Sequence, residues 1–211
     1  MNLTESHLHT LKAHFHPSES TGMSVLGGRT AVTPVVLDDI GSVVIKHYRR
    51  GGLLRYLVKR RYLKTGKTRS RREFELLDIL GNLGVNVPQP IAYASCGGLF
   101  YLAWLVTREI HQPATLASLS LRDEKKTVTA MASVIEQISL LVQNDILHVD
   151  LHPGNVVIDK DGYVYLLDFD KGRIHKGDRQ KLTRRYLSRW QRAVRKHGLP
   201  EMLNDLLQSG F

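Results

Sequence analysis

A single cysteine, Cys96, leaves this chain of 211 residues without an internal disulfide, and a lone thiol fits a reducing compartment. Long apolar runs are also missing. The longest, Leu99 to Val106, suits a buried strand and falls far short of the ~18–20 residues a membrane span needs. The first residues carry His7, His9, His14 and His16 but no apolar core of a secretory signal. Residues 1–20 therefore read as a loosely attached tail. Its histidines lack the cysteines or patterned acids of a metal site. Repeats, low-complexity tracts and long linkers are absent from the sequence. Acidic residues are scarce, with 20 Asp and Glu against 30 Lys and Arg, for a net charge of +10. No acid lies between Lys46 and Arg72, where there are twelve Lys or Arg, nor between Lys181 and Lys196, where there are seven. Blocks this one-signed attract nucleic acid, anionic membranes or phosphorylated substrates. The ordinary alternative is a solvated helix face.

With 42% hydrophobic residues, the chain can bury a substantial core as one domain or two closely packed lobes. Its most informative stretch is His148-Val-Asp-Leu-His-Pro-Gly-Asn155, followed by Asp168-Phe-Asp170. Phosphoryl transfer needs a carboxylate to orient an attacking hydroxyl, here Asp150. It also needs an amide oxygen and a second carboxylate to hold Mg²⁺ against nucleotide phosphates, here Asn155 and Asp168. Between them, Val156 to Leu167 reads as two apolar strands joined by an Asp161-Gly162 turn. Such a hairpin brings Asn155 and Asp168 to one sheet edge.

Upstream, strand signals begin near Val25, and Leu26-Gly27-Gly28-Arg29-Thr30 offers a turn whose glycines let backbone amides approach a phosphate. It lacks the full G-x-G-x-x-G pattern. Ser42-Val-Val-Ile-Lys46 leads an apolar strand into a lysine, the way kinases present the lysine that pairs with α/β-phosphates. Thr68 to Leu83 carries Phe74, Leu77, Leu80 and Leu83 at helical spacing. Glu73 on that helix is the candidate partner for Lys46, with Glu75 as the competing choice. Asn86-Val-Pro-Gln-Pro90 ends the helix. Ile91 to Tyr93 and Leu99 to Val106 read as strands, with Thr107 to His111 as a hinge. Pro113 to Leu119 reads as a short helix. Asp123 to Asn144 follows as a long one, with Val128, Met131, Ile135, Ile138 and Val142 on one stripe. Asp178 to His197 reads as one helix with Leu182, Tyr186, Trp190 and Val194 repeating every four residues. That stripe is expected to pack, leaving the arginines between for attraction.

Taken in order, Lys46, Glu73, Asp150, Asn155 and Asp168 resemble the catalytic set of the bacterial lipopolysaccharide kinase (Kdo/heptose kinase) family. Its nearest likeness is among kinases of 3-deoxy-D-manno-octulosonic acid (Kdo). The resemblance runs from about Gly27 to about Val194. Three further features carry it: Lys46-His-Tyr-Arg-Arg-Gly-Gly-Leu-Leu; Arg69-Ser-Arg-Arg-Glu-Phe-Glu-Leu-Leu with Val87-Pro-Gln-Pro; and Asp168-Phe-Asp-Lys-Gly, which replaces the usual D-F-G by D-F-D. One departure is His152, where the family loop is expected to read D-L-N-x-x-N.

The resemblance implies an α+β, protein-kinase-like, two-lobed fold over residues 21–211. Residues 21–106 would form a small antiparallel-sheet N-lobe and residues 107–211 a reduced helical C-lobe. It implies ATP and Mg²⁺, with Gly27, Gly28, Lys46, Glu73, Asn155 and Asp168 around the nucleotide and Asp150 as the catalytic group. The acceptor would be a sugar hydroxyl of inner-core lipopolysaccharide or lipid A. The protein would work in the cytoplasm, peripherally on the anionic cytoplasmic face of the inner membrane. His148 is expected to brace the catalytic loop. His152 is left between a γ-phosphate contact and packing, and Asp170 between a second metal contact and a turn cap.

Three rival readings remain. A small atypical, RIO-like serine/threonine protein kinase shares the short C-lobe. An antibiotic- or choline-type phosphotransferase usually needs a larger C-lobe than the 41 residues after Asp170 allow. A catalytically dead kinase fold could bind RNA or membrane, since Tyr48, Tyr56 and Tyr62 interleave with the first basic block. The intact catalytic set argues against this last reading, and nucleic acid is not an expected partner.

Overall fold

The computed structural model describes residues 3–15, 31–48, 62–63, 66–98 and 100–211. The strand start near Val25, the Gly27-Gly28 turn, Tyr56, Leu99 and the centre of the first basic block lie outside the described residues. The architecture is α+β, and it divides into two compact units. One draws on residues 1–78 and 89–109, the other on residues 79–88 and 110–211.

The first unit is an antiparallel sheet with two helices. Its strands are β1 (Ala31–Leu37), β2 (Gly41–His47), β3 (Tyr62–Leu63), β4 (Pro90–Gly97) and β5 (Phe100–Arg108); the helices are α1 (Glu5–Ala13) and α2 (Arg69–Asn82), the latter ending in the second unit. β5 pairs with β2, β3 and β4, and β1 extends the sheet from β2. β5 continues through Arg108, so its ladder runs two residues into the segment expected to be a hinge. The β1–β2 connection is tight, with Asp39 and Gly41 both at positive φ. Strand alternation in β2 sends Val43, Ile45 and His47 to the buried face and leaves Lys46 on the other.

Residues 5–13, expected within a loose tail, instead form α1. Thr4 and His7 make a reciprocal capping box at its start. His7 then reaches the Asp38 carbonyl at 2.7 Å. Leu11, 2% exposed, joins Val35, Leu37, Ile40, Val43, Ile45, Trp104 and Val106 in one core cluster. Phe15 stacks on Trp104 with ring centroids 4.7 Å apart. Burying side chains such as Leu11 contributes about 1.5–3 kcal/mol each. A period too short to register as a long amphipathic helix thus still holds the segment down.

The second unit begins inside α2 at Ile79 and takes in the segment after it. There the Asn86 N–H donates to the Gln137 side chain at 2.6 Å, and the Asn86 carbonyl accepts from Leu166 N at 2.9 Å. The remaining elements are β6 (Ala114–Thr115), α3 (Leu116–Ser120), α4 (Glu124–Gln143), β7 (Ile146–Leu147), β8 (Val156–Ile158), β9 (Val164–Leu166), β10 (Arg173–Ile174), α5 (Arg179–Lys196) and α6 (Met202–Ser209). Asp123 and Asp178 cap α4 and α5 through Lys126 N and Gln180 N. The buried stripe of α4 is Thr127, Ala130, Met131, Val134, Gln137, Ile138 and Leu141, while Val128 is exposed. The apolar-only reading chose a stripe rotated towards solvent, because it overlooked Thr127 and Gln137, two polar residues on the packed face. On α5 the expected stripe is right: Leu182, Tyr186, Trp190 and Val194 are all buried. No helix among the described residues is long and apolar enough to cross a membrane.

Candidate active site

In the first unit the site centres on a buried carboxylate. Glu73 shares one helical stripe with Ser70, Leu77 and Leu80, all buried, and is itself 2% exposed. An ionised carboxylate at that depth is costly unless its oxygens are satisfied. They are: Lys46 Nζ donates to Oε1 at 2.8 Å and to Oε2 at 3.0 Å, and the Tyr48 hydroxyl also donates to Oε2. Lys46 Nζ lies 5.2 Å from the Tyr48 ring centroid as well, a cation–π contact. Glu75, two residues on, points to the surface and pairs with Lys67 and Arg71. Those cations hold its carboxyl below the usual range. Helix periodicity is what separates the two glutamates, since only Glu73 falls on the packed face. Tyr48, read in the sequence with residues able to stack on bases, is buried and bonded to Glu73. The side chain of Tyr62 and all of Tyr56 lie outside the described residues.

In the second unit the loop from His148 to Asn155 and the strand ends beside it form a single hydrogen-bonded unit. β8 and β9 pair antiparallel, with Val156 opposite Leu166, and Asp159 together with Gly162 at φ 90° closes the turn. Leu167 N donates to the Asn155 carbonyl at 2.8 Å, so Asn155 sits directly against the segment leading to Asp168. Asn155 Nδ2 donates to the Asp150 carbonyl at 2.9 Å. This fixes the amide and turns its Oδ1 into the atom that could meet a cation. Asp168 adopts φ 64°, a left-handed backbone that aspartate tolerates better than most L residues. Such strain is found preferentially at functional sites. No group of three or more His, Cys, Asp or Glu able to hold a metal occurs among the described residues. Two oxygen donors suit Mg²⁺, which takes one or two protein ligands and completes its shell with phosphates and water.

His148 is buried and braces this loop. Its Nδ1 accepts from Asp150 N at 3.2 Å, so the proton is on Nε2, which donates to the Leu167 carbonyl at 2.8 Å. The ring also packs on Phe169 at 4.3 Å. Burial pushes its pKa down to about 4, so it is neutral at pH 7. Tyr186 of α5 clamps the same loop: its hydroxyl accepts from His148 N at 2.9 Å and donates to the Ile146 carbonyl at 2.6 Å. His152 turns back on its own loop, accepting from Gly154 N at 3.0 Å. Burial lowers its pKa, and nearby Arg189 and His197 act in the same direction. After Phe169 the chain turns at once, with Gly172 N donating to the Phe169 carbonyl at 2.7 Å and Asp170 half-buried within the turn.

Asp150 carries a partner that sequence reasoning did not supply. Arg189 Nη2 on α5 donates to Asp150 Oδ1, with the two side chains 37% and 43% exposed. Arg189, Tyr186 and Tyr48 are the residues missed. Tyr48 had a usable signal, since it lies two residues from Lys46 on the same strand face. Tyr186 was read only as a packing residue, and nothing in the basic run marked Arg189 apart from its neighbours. Gly27 and Gly28 lie outside the described residues. Lys46 and Glu73 are together in the first unit, and Asp150, Asn155 and Asp168 in the second.

The sequence model of the lipopolysaccharide kinase (Kdo/WaaP) family matches residues 23–207. The chain is 39% identical over 150 residues to a 3-deoxy-D-manno-octulosonic acid kinase of Vibrio parahaemolyticus, covering 69% of this chain and 62% of that protein. A Vibrio cholerae protein of the same name is 35% identical over 160 residues, covering 74% and 68%. One from Xylella fastidiosa is 30% identical over 171 residues, covering 80% and 63%. The chain thus spans roughly two thirds of the length of these relatives.

Proposed function

Since the chain belongs to the lipopolysaccharide kinase (Kdo/WaaP) family, we propose that it transfers the γ-phosphoryl group of ATP to a sugar hydroxyl of the lipopolysaccharide inner core, with Kdo as the foremost acceptor. The observation that carries this reading is the bonded unit of His148, Asp150, Asn155 and Leu167, which fixes the backbone of Asp150 against Asn155 and the segment leading to Asp168. The relatives named as Kdo kinases support the choice of sugar.

In this reading residues 21–211 form a protein-kinase-like domain of two lobes. Asn155 Oδ1 and the Asp168 carboxylate would hold Mg²⁺, which would supply positive charge against the nucleotide phosphates. Lys46, kept in one rotamer by Glu73 and Tyr48, binds the α/β-phosphates, with Gly27 and Gly28 approaching through backbone amides. Asp150 accepts a hydrogen bond from the acceptor hydroxyl and takes its proton as the oxygen bonds to phosphorus and ADP departs. The transition state is loose, so alignment by Asp150 counts for more than its basicity. His148 remains neutral and positions the loop. The basic blocks draw the enzyme to anionic lipid on the cytoplasmic face of the inner membrane, at about 1 kcal/mol per Lys or Arg near the surface.

The test is incubation with Mg-ATP and Kdo-bearing lipid A, followed by mass spectrometry of the glycolipid. One added phosphate is expected. Asp150→Ala is expected to lower the rate by about 10³-fold without loss of folding by circular dichroism. An unphosphorylated glycolipid with ATP consumed, or with the protein itself labelled, would refute the sugar acceptor and point to a protein kinase.

A further inference from the structure

The contact between Asp150 and Arg189 is unexpected for a carboxylate that must receive a hydroxyl. Arg189 Nη2 occupies Asp150 Oδ1, while Arg189 Nε is buried and has no hydrogen-bond partner among the described residues. Nε and Nη2 are the two parallel donors of one fork matched to an oxyanion, and leaving half of that fork unsatisfied is unfavourable. The pair is also half-exposed, a setting in which ion pairs are weak and readily exchanged.

Helical spacing extends the feature. From Arg185, the positions i+4, i+7 and i+11 are Arg189, Arg192 and Lys196, so four cations share one stripe along the flank of the buried face of α5. Arg185, Arg192 and Lys196 are exposed and have no carboxylate partner among the described residues, and α5 itself contains no acid. Asp150 is the carboxylate that this stripe touches.

We propose that Arg189, continued by Arg185, Arg192 and Lys196, is an oxyanion site for the acceptor, and that an acid group on the acceptor draws Arg189 away from Asp150 as it binds. Arg189 is then a specificity-determining residue. A sugar bearing a carboxylate or phosphate close to its accepting hydroxyl satisfies both donors of the Nε–Nη2 fork and frees Oδ1 for that hydroxyl. A neutral sugar leaves Asp150 engaged. The inference rests on the sugar-kinase reading and adds to it the requirement that the acceptor be anionic near its reactive hydroxyl.

Steady-state kinetics with Kdo-bearing lipid A, its Kdo methyl ester and its phosphate-stripped form test this. Arg189→Ala should raise acceptor KM at least about tenfold while kcat falls much less, and Arg189→Lys should restore part of the loss. The methyl ester should already be poor with the native protein and lose nothing further in Arg189→Ala if the recognised group is the carboxylate. The phosphate-stripped form should behave that way if it is a phosphate. An equal loss with all three acceptors, or a fall in kcat alone, would overturn the proposal, because a purely structural arginine gives that pattern. If the native protein leaves the glycolipid unphosphorylated, the sugar-kinase reading fails by itself. The oxyanion site is then read by calorimetric titration with inorganic phosphate and with acetate. Binding that disappears in Arg189→Ala retains the site, and its absence in the native protein removes it.

Discussion

Two carboxylates in this protein each meet a cation, and the surroundings of the two pairs are opposite. Glu73 is 2% exposed and receives three hydrogen bonds, from Lys46 twice and from Tyr48 once. Asp150 is 43% exposed in its side chain and holds one contact from Arg189. Parting the buried pair would strand the Glu73 charge, so it behaves as a fixed part of the framework. The exposed pair can exchange its partner at little expense. Depth of burial, more than the identity of the charges, separates an ion pair that shapes a site from one that a ligand can open.

The largest expected break in that contrast comes from Glu73→Ala, which removes the buried carboxylate that Lys46 and Tyr48 bond. It should destabilise the protein by about 3–5 kcal/mol, measured as a drop in the urea midpoint at unchanged slope. A change under about 1 kcal/mol would mean that the pair is relaxed into solvent. Next is pH. His148 is held neutral, with a pKa of about 4 against 6.5 when unfolded. Above pH 6.5 both states are neutral and the full stability is present; as pH falls from 6.5 towards 4 only the unfolded state gains a proton, and stability is lost. That gap is about 3 kcal/mol, and His148→Gln should flatten this part of the stability profile. An equal slope in the variant would remove His148 as the cause. Tyr48→Phe deletes one hydrogen bond to a charged group and should cost about 1.5–3 kcal/mol, without shifting the far-ultraviolet spectrum. Arg189→Ala should change stability by no more than about 1 kcal/mol. A loss as large as that of Glu73→Ala would erase the distinction between the pairs.

Much of this was readable from residues alone, for physical reasons that differ by element. The β8–β9 hairpin and α5 follow their periodicity, because their packed faces are apolar and their ends carry turn or cap residues. The pairing of Lys46 with Glu73 follows from helix geometry once Leu77 and Leu80 define the packed face. The α4 stripe was misplaced because polar Thr127 and Gln137 lie in the core. β6, β7 and β10, two residues each, are too short for alternation to register. α1 was hidden because it buries only His7 and Leu11. The Asp150–Arg189 contact joins residues 39 apart, and one arginine in a basic run carries no mark of what it will touch.

The Tyr186 clamp has a consequence for how the protein comes to life during synthesis. The whole His148–Asn155 loop leaves the ribosome well before the tyrosine whose hydroxyl holds it at both Ile146 and His148. Until α5 emerges and folds back, a nascent chain owns every residue of the loop but not its shape. A chain stopped at Asp178 should therefore leave the loop without that clamp, so its geometry waits on the synthesis of α5.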